Sequence, residues 1–166
     1  MKEFIERIKN IHTDCHMLIN QSVGRFLPVA GNLGVFCQSE EEYDHFLVLS
    51  EEITFPSSNP NQKYFELKEP ISIQAKDDIP GAAYTHLYIR KPDPSPYGRY
   101  FGDIDFVMVS DEYKGFKELV NKDEIIGTEM YDRPGWDTIQ ITNPDINSVA
   151  YVSTKDFAEK VRVKFD

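Results

Sequence analysis

Apolar residues at Phe4, Ile8, Ile11, Cys15 and Leu18 follow one another at alternating steps of four and three. That spacing places them on one face of a helix, and Ile5 and Ile19 widen the stripe. The pattern predicts an amphipathic helix packed on a sheet, with Cys15 in its buried face. His12 and His16, four residues apart, fall at its polar edge. The residue after His12 is Thr13, not the glutamate that a zinc-protease helix carries there.

The period then changes. Residues 34–37 are a short apolar run behind Gly-Asn turn chemistry and read as a strand. Ser39 followed by Glu42 is a capping box, and Glu40 and Glu41 suit a helix N-terminus. Tyr43, Phe46, Leu47 and Ile53 supply this second helix with its apolar face. Residues 55–62 form a Pro/Ser/Asn loop, and 64–67 and 71–75 read as two short strands. The clearest strand is 84–90, with Thr85, Leu87 and Ile89 on one face and Tyr84, His86, Tyr88 and Arg90 on the other. A loop with three prolines leads to 103–109, which alternates again. Ile104, Phe106 and Met108 face one way; Asp103, Asp105 and Val107 face the other.

Ser110 is placed to cap a short helix through Tyr113, Phe116, Leu119 and Val120. The turn Asp132-Arg133-Pro134-Gly135 separates strands at 130–131 and 138–141. A further strand, 149–152, precedes a last helix through Phe157 and Val161. Consecutive strands without intervening helices favour an α+β fold: a mainly antiparallel sheet with helices packed on one face. Strands 84–90 and 103–109 are expected side by side, since consecutive strands usually pair.

Length and composition narrow the reading. The 166 residues, 40% hydrophobic and 28% charged, suit a single α+β domain spanning 1–166. Charges interrupt the N-terminal residues, and the most apolar stretch, 26–37, is broken by Pro28, Gly31, Asn32 and Gly34. Neither a signal peptide nor a membrane span is expected, which favours the cytoplasm. Cys15 and Cys37 form no spaced framework and read as buried thiols. The formal net charge of −10 makes nucleic acid a poor default partner. A basic and aromatic stretch containing Arg90, Lys91, Arg99, Tyr97 and Tyr100 is the one feature that runs the other way.

Candidate chemistry gathers on the polar face of the two alternating strands. His86, Tyr88, Arg90, Asp103 and Asp105 would meet there, with the ring of Tyr84 alongside and Trp136, the only tryptophan, at the rim. The leading expectation is a non-catalytic domain that binds a small anionic ligand or a protein partner. Arg90 would be the anion contact, His86 and Tyr88 orienting donors, and Tyr84 a ring surface. The alternative is a metal-dependent phosphoester hydrolase. There Asp103 and Asp105 would hold Mg²⁺ or Mn²⁺ with Asp137 as a third ligand, and His86 would move a proton. The duller possibility is a solvated sheet face with ordinary cross-strand ion pairs.

Overall fold

The computed structural model describes residues 1–164. The first helix, α1, is Lys2–Val23, and Gly24 closes it: its left-handed φ of 79° lets its N–H reach the Asn20 carbonyl. Then come β1 (Val29–Phe36), α2 (Glu40–Ile53), β2 (Phe65–Ile73) and β3 (Ala82–Arg90). A 3-10 turn, Pro96–Arg99, precedes β4 (Gly102–Val107). The described chain ends with α3 (Ser110–Asn121), β5 (Thr128–Met130), β6 (Ile139–Ile141), β7 (Ser148–Ser153) and α4 (Lys155–Lys160). Ser39 caps α2 as its sequence suggests: its Oγ accepts the Glu42 N–H at 3.2 Å.

Seven strands form one sheet in the order β2-β3-β1-β4-β7-β6-β5. The sheet is mixed. Strands β1 and β3 run parallel, as do β4 and β7, and the other neighbours are antiparallel. This corrects the mainly antiparallel sheet expected from element order. The cause is β1, which inserts between β3 and β4 and separates the two strands expected to pair. Between β1 and β3 lie α2 and the edge strand β2, and between β4 and β7 lie α3 and the outer strands β5 and β6, enough chain in each case to return in the same direction. Strand β2 is likewise one strand where two were expected. Its ladder with β3 shifts register between Glu66 and Ile71, and Pro70 is tolerated because β2 lies at the sheet edge.

One face of the sheet lies under α1, α2 and α3. Phe4, Ile8 and Ile11 of α1 pack with Phe46 and Phe116 onto Leu33, Leu87, Ile104 and Phe106. Phe4 and Phe46 meet edge to face, with centroids 5.0 Å apart. The helices are not confined to one face as expected. Helix α4 lies on the opposite face, where its Ala158 carbonyl accepts from Asn32 Nδ2 at 2.7 Å.

His12 and His16 lie in the core and not at a polar edge, because α1 is covered on a wider arc than its apolar stripe. His12 Nδ1 sits 2.7 Å from the Tyr84 hydroxyl and Nε2 3.0 Å from the Pro80 carbonyl. Neither ring nitrogen of His16 has a hydrogen-bond partner among the described residues. Burial holds His12 below the ordinary imidazole range and brings His16 down to about 4. Both cysteines are buried and free; burial pushes the Cys37 thiol up to about 12 and Cys15 well above its ordinary value. Among the described residues no helix is long and apolar enough to cross a membrane.

Candidate functional site

The open face of the sheet is organised around a glycine. Gly34 of β1 pairs with Tyr88 of β3 on one side and with Asp103 of β4 on the other. An ideal Cβ on Gly34 would lie 2.1 Å from Asp103 Oδ1, so the carboxylate occupies the space a side chain would fill. The polar faces of β3 and β4 therefore converge although the strands are not neighbours.

Two buried carboxylates form the floor. Asp103 is 6% exposed and Asp105 7%. The Tyr64 hydroxyl donates to Asp103 Oδ1 at 3.2 Å. Asn32 Nδ2 donates to Asp105 Oδ2 at 2.7 Å, and Arg162 Nε donates to Asn32 Oδ1 at 2.7 Å. Burial raises the pKa of both acids. At Asp105 the charge of Asp103 adds to burial and lifts it to about 7, against the Asn32 hydrogen bond. At Asp103 the nearby Lys63, the Tyr64 hydroxyl and Arg90 oppose burial. Near neutral pH the pair therefore titrates as a unit that carries a proton part of the time.

Above this floor is a cavity of about 290 Å³. On one side the Arg90 guanidinium lies between the rings of Phe36 and Tyr97, at 5.0 and 4.4 Å, and pairs with Asp93. The hydroxyls of Tyr97 and Tyr151 hydrogen-bond to each other. Opposite stand Tyr131 and Trp136 from the β5–β6 connection, with Trp136 edge-on to Phe157 of α4 at 6.0 Å. Lys63 enters from the loop before β2, held there by its N–H to the Arg162 carbonyl at 2.9 Å. Its ammonium lies over the rings of Tyr64, Tyr88 and Trp136 at 5.1, 5.2 and 5.6 Å. Burial lowers the Lys63 pKa, against the pull of Asp103 and Asp105. Arg133, 4.5 Å from the Trp136 ring centroid, and Lys164 complete the cationic lining.

Five of the residues singled out in the sequence line this one cavity: Tyr88, Arg90, Asp103, Asp105 and Trp136. Three others stand apart. Tyr84 is in the helix-covered core against His12, on the same face as Leu87 and Ile89, and the alternation breaks beside the β2–β3 register shift. His86 pairs with Asn32 across β1–β3, one row beyond the cavity, with Thr85 Oγ1 3.0 Å from its Nδ1. Burial lowers its pKa, and the nearby Arg162 adds to this. Asp137 is exposed and accepts from Lys117 Nζ at 2.7 Å and the Tyr113 hydroxyl at 3.0 Å, away from the acidic floor. The third carboxylate of the metal reading is thus drawn elsewhere. Among the described residues no three His, Cys, Asp or Glu side chains gather as metal ligands.

Asn32, Lys63, Tyr64 and Tyr151 escaped sequence reasoning. Lys63 sits at a loop end, and only its pairing with the segment after α4 turns it inward. Tyr151 carried a usable signal, since alternation along 149–153 puts it on one face with Val149 and Ser153.

No family model and no curated protein matches this chain.

Proposed function

We propose that this chain is a binding domain for a small anionic molecule seated in the sheet-face cavity. One observation carries the reading. Among the described residues Lys63, Arg90, Arg133 and Lys164 line the cavity with Asp103 and Asp105, and Arg90 also pairs with Asp93, in a chain of net charge −10. A cation surplus in a concave, aromatic-walled site is what anion recognition needs. Its rings offer stacking surface for a planar ligand, and the tyrosine hydroxyls offer donors and acceptors. A concave site near the lower end of the roughly 300–1,000 Å³ usual for small-molecule pockets favours a small molecule over a flat protein contact.

The sole tryptophan lies in the cavity wall, so its fluorescence is a direct reporter. Titration with inorganic phosphate, nucleoside monophosphates and aromatic carboxylates is expected to give a saturable change with at least one class. Arg90→Ala should weaken that binding about tenfold or more. Absence of any saturable change across all three classes overturns the reading.

A further inference from the structure

We infer that the molecule bound here is a zwitterion, an amino carboxylate whose anionic end meets Lys63 and whose protonated amine meets the Asp103–Asp105 pair. This rests on the anion-binding reading above and adds a second, cationic end to the ligand.

Two groups that line the cavity have no hydrogen-bond or ion-pair partner of their own for part of their capacity among the described residues. Lys63 is one. An ammonium has three donors, yet Lys63 makes no hydrogen bond through Nζ and no ion pair with any described residue; its charge is held over three rings. Asp105 is the other. Its Oδ2 takes the Asn32 amide, while Oδ1 accepts nothing from a described residue. The side chain is nonetheless more than nine-tenths buried and lines the cavity. Among the described residues no carboxylate oxygen comes within ion-pair distance of the Lys63 ammonium, so Lys63 and Asp105 do not satisfy each other.

A plain anion would meet only half of this arrangement. Its charge would find Lys63, but it would also approach two buried carboxylates at close quarters, where like charge is costly. A molecule with one anionic and one cationic end satisfies both. The amine would favour the fully ionised acid pair, which near neutral pH carries a proton part of the time. Among the described residues the groups facing that pair from the surrounding elements are Asn32, Lys63, Tyr64, Tyr88, Arg90, Tyr97, Tyr151 and Arg162, and none is a carboxylate that could serve the amine in its place. The cavity volume of about 290 Å³ suits a ligand of amino-acid size.

The experiment uses the whole chain and matched ligands. Each common amino acid is titrated by Trp136 fluorescence beside its deaminated acid and its decarboxylated amine; phenylalanine, hydrocinnamate and phenethylamine form one such set. At least one amino acid is expected to bind about tenfold or more tightly than both of its partners. Asp105→Asn, which keeps the side-chain shape, should erase the advantage over the acid. Lys63→Met, which keeps the stem, should erase the advantage over the amine. A deaminated acid that binds as tightly as every amino acid, unaffected by Asp105→Asn, overturns the inference and leaves the anion reading standing. Binding of the amine alone, or of nothing in any set, overturns the inference, and the anion reading is then decided by phosphate and the nucleoside monophosphates. The wild-type comparison decides even if a variant fails to fold.

Discussion

Asn32 ties Asp105 to the last helix. Its side-chain amide donates to Asp105 Oδ2 and to the Ala158 carbonyl, both at 2.7 Å, from a position with no solvent exposure. The floor of the cavity and the docking of α4 thus depend on one amide. Asn32→Ala should cost about 1–3 kcal/mol, the usual range for leaving buried polar groups unpaired. It should also move Asp105 further up, since the lost hydrogen bond is one that lowers it. Urea unfolding checks the first effect, and a carboxyl NMR titration checks the second.

Gly34→Ala tests the glycine pivot. The added Cβ would overlap Asp103 Oδ1, so the carboxylate must leave the row it shares with Tyr88. A loss of about 1–3 kcal/mol in urea unfolding is expected, as for other insertions into packed sites. Ligand binding reported by Trp136 should fall with it. Unchanged stability would mean that the carboxylate can rotate aside without cost.

Stability should depend on pH through Asp105 with a defined sign. Its pKa is raised to about 7, so the folded chain keeps a proton that the unfolded chain releases between about pH 4 and 7. The stabilisation is complete below the unfolded value and is lost as pH rises through about 7. Asp105→Asn removes this term. Wild type should therefore lose stability relative to the variant by up to about 1.4 kcal/mol per pH unit inside that window, and by nothing further above it. Paired urea curves at several pH values check it, with Asp103, whose titration is tied to Asp105, the one other group near the substitution that changes with it.

His16 acts in the opposite direction. Its pKa is lowered to about 4, so the folded chain holds it neutral while the unfolded chain takes up a proton below about pH 6.5. That contribution is present above the unfolded value and is lost as pH falls through about 4. His16→Leu removes the titration and replaces two unpartnered ring nitrogens with hydrocarbon. The variant should gain about 1 kcal/mol at neutral pH and more near pH 5, read from the same unfolding curves.

Much of the local structure was legible in the residues themselves. The α1 stripe, the Ser39 cap and the alternation of β3 and β4 are contacts within a few residues of one another. Side-chain period reports these directly. Alternation also sorted the faces correctly at Tyr88, Arg90, Asp103 and Asp105. It failed at Tyr84, beside the shift in the β2–β3 ladder, where the alternation breaks.

Which strands adjoin was not legible. Insertion of β1 between β3 and β4 depends on long-range packing of Leu33 and Val35 under α1, and no local period encodes it. His12 and His16 looked peripheral for the same reason: their burial comes from segments far away in the chain, Tyr84 and Phe106 among them. The chain alone determined most of its elements, the faces of β3 and β4 except at Tyr84, and five of the residues that line the cavity. Only the tertiary structure decided that Gly34 would draw Tyr88 and Asp103 together, and that Lys63 would turn inward above the carboxylates. Those relationships join residues distant in sequence, and they follow from strand order and chain crossover, which side-chain period does not carry.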